Sequence, residues 1–209
     1  MLTVAACATR PPQAPPVKSA EPLSAAALAA AIAMDAKRSD HESDSKIRGE
    51  LAAEASHDAE VCLSNEPQAA ACLYGRAIAL GLEARAHPTR AREFLNNMLD
   101  SLARAESADP SYDEAGPARV RALVLIRAPG WPLGPGDPEA GLAAARRATS
   151  LRPQFPPNLL ALAEALAKTG DGNGARETYA RAHDAALALP AVVDRDEWLR
   201  EADQGLQRK

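Results

Sequence analysis

Along most of the chain, apolar residues recur every three or four positions, and the apolar residue is usually alanine or leucine. That spacing gathers apolar side chains on one face of a helix. No stretch alternates apolar and polar residues with period two, so no strand is expected. The pattern predicts helices over residues 23–34, 46–63 and 114–126, within 70–84, and around Leu102 and Ala105. It predicts further helices from Pro138 to Pro153, on either side of a turn at 169–174, and over 194–206. In that turn, Thr169-Gly170-Asp171-Gly172-Asn173-Gly174, the glycines supply positive φ. Residues 37–46, which include Ser39-Asp40-His41-Glu42-Ser43-Asp44-Ser45, read as a polar linker. Asp194-Arg195-Asp196-Glu197 reads as the N-capping start of the last helix.

The helices also recur as pairs. From Pro156 onward, Leu159, Leu162, Ala163 and Leu166 are followed by Ala175, Tyr179 and Ala182. This is the order of small and large positions in the tetratricopeptide repeat of about 34 residues. Ala163, Ala175 and Ala182 are small where the two helices of a pair cross, and Tyr179 fills the gap to the next repeat. One period back from Gly174-Ala175 lies Ala140-Gly141, in a helix begun by Asp137 as N-cap with Pro138 in its first turn. One unit earlier, Leu102, Ala105 and Pro110 repeat the second-helix pattern. The expected fold is therefore all-α: a tetratricopeptide-type helical-repeat solenoid of about three to four helix pairs plus a C-terminal helix. Residues 1–22 form a tether, 23–45 an N-terminal helix and linker, and 46–209 the repeat domain. Stacked pairs leave a concave face, the usual recognition surface of such solenoids.

One connection departs from this plan. Between Arg127 and Pro138 stand four prolines and three glycines in twelve residues. Proline lacks an amide donor and glycine costs backbone entropy, so no helix continues there. At the centre is Trp131, in a chain with only 3% aromatic residues. Two roles are open to Trp131, and they are compatible. It plugs the open edge of the solenoid and pins the loop, or it lines a pocket or presents an anchor to a partner. Pro129, Gly130, Trp131 and Pro132 are the candidate binding residues.

Composition excludes more than it assigns. A hydrophobic content of 46% is that of a folded domain, and a net charge of −4 gives no electrostatic footprint for nucleic acid. The pair Arg146-Arg147 reads as solvated surface. No segment reaches the roughly 18 apolar residues of a spanning helix. His41, His57, His87 and His183 have no ligand partner at metal spacing. Ser56-His57-Asp58 holds the residue types of a catalytic triad, but consecutive helical side chains diverge too far to hydrogen-bond in series. The loop glycines alternate with prolines, which removes amide donors an anion site needs. No catalytic residue, metal ligand or cofactor is expected, and the chain reads as a non-enzyme.

The amino terminus reads as an address. Val4-Ala5-Ala6-Cys7 resembles a lipobox, an aliphatic and two small residues before the cysteine that is acylated. Cys7 is thus the candidate lipidation site, and Ala8 after it resembles the outer-membrane default of lipoprotein sorting. A secretory leader needs a basic stretch and about 7–15 apolar residues, so more of it is expected upstream of Met1. Thr9 to Pro16 is proline-rich and extended, as a spacer off a membrane would be. Cys62 and Cys72 fall near facing ends of two consecutive helices, within reach of a disulfide. In an oxidising periplasm they would be bridged; otherwise they are two buried thiols.

The stretch Tyr112-Asp113-Glu114-Ala115-Gly116-Pro117-Ala118-Arg119, then Ala128-Pro129-Gly130-Trp131-Pro132 and Gly136-Asp137, is similar to the TatT-like TRAP-T lipoproteins. These are tetratricopeptide components associated with tripartite ATP-independent periplasmic transporters. The resemblance runs from about residue 50 to the end and includes the paired cysteines and the lipidated start. It implies a periplasm-facing, lipid-anchored homo-oligomer that docks a transporter's periplasmic solute-binding protein. It also implies a ligand cavity near the oligomer centre. Two rival readings are an envelope-assembly adaptor with no transport role and an oligomer that binds a small apolar ligand directly.

Overall fold

Side-chain caps start several of the helices. Ser24 Oγ accepts from the amide of Ala27 at 3.2 Å, and Asp44 Oδ1 from that of Lys46 at 2.8 Å. Asp137 and Asp171 do the same at 3.0 and 2.8 Å, each satisfying an orphan donor of a first turn. The structure, a computed structural model, describes residues 23–190 and 194–208. Cys7 and the proline-rich tether to residue 22 lie outside the described residues. The described residues form α1 Ala25–His41, α2 Ser45–Asn65, α3 Ala70–Ala86, α4 Ala91–Ala108 and α5 Tyr112–Arg127. They continue as α6 Pro138–Leu151, α7 Pro156–Lys168, α8 Gly172–Ala188 and α9 Arg195–Gln207, with no strand. None of these helices is long and apolar enough to cross a membrane.

Each helix packs on the next, and the pairs stack. The first helices, α1, α3, α5 and α7, touch one another in succession and end against α9. The second helices, α2, α4, α6 and α8, make no such contact with each other among the described residues. The stack therefore curves, with the first helices and α9 on its inner side. Alanine makes up much of the core, from Ala52 and Ala55 through Ala118 and Ala122 to Ala182 and Ala202. Small side chains let the helix axes approach closely, so few aromatic rings are needed. Tyr179 is buried as expected, and α9 lies against it so closely that a Cβ on Gly205 would sit 2.4 Å from the ring.

Three details differ from the sequence expectation. The polar stretch 37–46 is mostly helical, because α1 runs to His41 and α2 begins at Ser45. Packing on α3 overrides the low apolar content: Ser39 is buried, and Arg85 donates to its carbonyl at 3.3 Å and to Asp40 at 2.5 Å. Helix α1 pairs with α2 and packs on α3, burying Leu28 and Ile32. The expected boundary at residue 46 therefore falls inside the first of four pairs. Finally, Asp194 precedes α9 without capping it, because its carboxylate is drawn to Lys37 of α1.

Candidate interaction site

The connection between α5 and α6 is a closed loop. Its ends meet where Gly130 and Gly136 bridge, and Gly136 N donates to Pro129 O at 2.9 Å. Leu133 N and Gly134 N both donate to Gly130 O, and Asp137 N to Leu125 O at 2.9 Å. Arg92 at the start of α4 donates to Pro132 O at 2.9 Å and ties the tip to the body. Proline removes conformers and these bonds remove more, so the loop is held in shape without an apolar core. Pro129, Gly130, Trp131 and Pro132 are all exposed on it together. Trp131 is 87% exposed and Leu133 76%. The tryptophan therefore plugs nothing: the ring stands in solvent beside a second large apolar side chain.

On the inner side of the curve, the start of α5 is irregular. Asp113, Glu114 and Ala115 take left-handed angles, with φ of 48°, 54° and 65°, before a right-handed helix begins around Pro117. Left-handed L-residues cost roughly 1–2 kcal/mol each, so the turn persists only if other contacts hold it. Asn158, wholly buried at the start of α7, donates to Glu114 O at 2.9 Å. Arg119 donates to Asp113 O, to Asn158 Oδ1 at 3.1 Å and to the Asp113 carboxylate at 2.7 Å. Tyr74 of α3 donates to the same carboxylate at 2.9 Å. Burial pushes the Tyr74 hydroxyl well above the usual tyrosine range, which keeps it a donor. Arg119 also lies over the Phe155 ring, 5.3 Å from its centroid.

This clamp fixes the middle of the concave face. Tyr74, Asn158 and the Lys37–Asp194 pair escape a reading of the sequence, since the contacts by which they hold the turn, or join α1 to the start of α9, span 39 to 157 positions. Only Asn158, a polar residue in the apolar first turns of α7, carries a local signal. Ser56 donates to Glu83 of α3 at 2.9 Å, not to His57. Cys62 and Cys72 are bonded to one another across the α2–α3 connection, with their Cα atoms 5.3 Å apart.

Among the solved structures that match, the crystal structure of a thermophilic tetratricopeptide-repeat protein from Thermus thermophilus superposes with a TM-score of 0.58. The match covers 85% of this chain and 91% of that one at 20% identity. The fold is a tetratricopeptide-type solenoid. No family model and no curated protein matches the sequence. Curvature in a solenoid of this type creates an extended concave surface.

Proposed function

We propose that this chain is a periplasm-facing lipoprotein scaffold, anchored through Cys7, that docks the solute-binding protein of a tripartite periplasmic transporter. The observation that carries the docking is the pair Trp131 and Leu133, 87% and 76% exposed on a loop already closed by hydrogen bonds. An exposed tryptophan on a pre-ordered loop gives up little entropy on binding and brings a large contact area. The lipobox-like Val4-Ala5-Ala6-Cys7 supports the anchor and the envelope location, and the Cys62–Cys72 bond fits an oxidising compartment. The resemblance in the stretches 112–119 and 128–132 supports the choice of partner and a homo-oligomeric assembly.

The test is a pull-down from envelope extract, the full chain against its Trp131→Ala variant, with retained proteins identified by mass spectrometry. The expected outcome is recovery of a periplasmic solute-binding protein by the wild type and its loss in the variant. Because Trp131 is exposed, the substitution should leave Tm unchanged within the roughly 0.5 kcal/mol of a surface change. Equal recovery by both would remove the loop from the reading, and recovery of envelope-assembly proteins instead would replace the transporter with an assembly role.

A further inference from the structure

A second site, independent of the loop, lies on the concave side. A cavity of about 520 Å³ opens between α1, α3, α5 and the start of α9. Its floor is apolar and low: Ala26, Ala30 and Ala33 share one exposed face of α1, with Ile78 of α3 beside them. Its wall is the Tyr74–Tyr112 pair, whose rings meet edge to face with centroids 5.5 Å apart. Its polar lining is acidic. Asp40, Asp113, Asp194 and Glu197 face a single cation, Lys37.

These carboxylates are not equivalent. Arg85 engages Asp40, and Arg119 with Tyr74 engages Asp113. Lys37 engages Asp194, while Glu197 has no ion-pair partner among the described residues. The Lys37 ammonium thus sits at one end of the cavity, held by Asp194. That hydrogen bond raises its pKa first, and the charges of Asp194 and Glu197 add to it. The pair is about half exposed on both sides and joins two helices whose backbones do not touch. An exposed ion pair contributes little net stability, so it exchanges readily for an equivalent cation. An anion finds the opposite: the one lysine of the lining is already paired with Asp194, and Glu197 leaves one carboxylate in excess.

We infer that this cavity binds an alkylammonium group carried on an apolar body. Asp194 and Glu197 share its charge, while the alanine floor and the tyrosine rings cover its body. Lys37 is the built-in stand-in for that charge. A site with an apolar surface and a few convergent polar groups is the usual form of a small-ligand pocket. The ammonium arrives either on a free amphipathic amine or on a lysine side chain of a partner, and the probes separate the two sources.

The experiment is isothermal titration calorimetry on the full chain with octylammonium, with octyl sulfate, and with a capped Ala-Ala-Lys-Ala-Ala peptide. Saturable binding of octylammonium or of the peptide is expected, at least about tenfold tighter than any binding of octyl sulfate. The amine alone identifies a free ligand; the peptide alone identifies a protein-borne one. Glu197→Gln should weaken the binding about tenfold. Lys37→Ala should tighten it severalfold, because it empties Asp194 for the incoming cation. Both positions are exposed, so the variants should fold, and circular dichroism checks this. Absence of saturable heat from both cationic probes would overturn the assignment. So would octyl sulfate binding as tightly as octylammonium, or Lys37→Ala leaving affinity unchanged or lowering it. None of these variants touches the Trp131 loop, so this inference and the docking proposal stand or fall separately.

Discussion

Two glycines in helices show how far the same residue can differ in its consequences. At Gly49 in α2, a Cβ would meet nothing within 4 Å. Gly49→Ala should therefore stabilise by about 0.5–1 kcal/mol, the usual gain from removing unfolded-chain freedom. At Gly116, a Cβ would lie 2.7 Å from the Asp113 carboxylate and 2.9 Å from the Tyr74 hydroxyl. Gly116→Ala should cost about 1–3 kcal/mol by displacing the clamp on the left-handed turn. Urea melts of the two variants check the opposite signs. Burial, together with the nearby charges of Glu164 and Glu197, raises the Glu201 carboxyl above its usual range despite the opposing pull of Arg127. A carboxyl raised in the folded state binds its proton more readily there than in the unfolded chain. It therefore costs stability above its folded pKa, and that cost fades as pH falls through it. Glu201→Gln should raise Tm slightly at neutral pH and lose the advantage on acidification, which melts across a pH series will show.

At the scale of elements, the helices were legible because a 3.6-residue period and capping residues are local properties. Asp137 with Pro138 begins α6 as expected, whereas in the turn after Lys168 Gly170 takes a positive φ of +92° and Gly172 and Gly174 already lie in α8. Helix α5 was only partly legible. An apolar period locates Ala118, Ala122 and Ile126, but nothing local announces three left-handed residues whose stabilising groups sit on α3 and α7. The α2–α3 junction shows a covalent version of the same dependence. The Cys62–Cys72 bond closes a loop of about ten residues, worth roughly 2–3 kcal/mol on chain-entropy grounds. Reduction should lower Tm by about 5–10 °C in a chain of this size. Thermal melts with and without dithiothreitol measure it, and Cys62→Ala with Cys72→Ala should reproduce the reduced value.

For the whole molecule, curvature is the property that matters. The inner helices touch in succession and the outer ones do not, so the first and last helices face each other across a cavity. Lys37 and Asp194, 157 positions apart, meet there. The sequence by itself determined the all-helical class, the pairing of helices, most of their positions and the break at the Pro-Gly-Trp-Pro loop. All of these follow from near-neighbour spacing and from backbone constraints carried by single residues. Only the tertiary structure decided that α1 joins the stack and that Trp131 points outward instead of into the solenoid edge. It also decided that the centre of the concave face is a strained turn held by Arg119, Asn158 and Tyr74. These outcomes depend on which side chains from distant helices arrive at one place. A one-dimensional pattern holds the residues but not the distances between them.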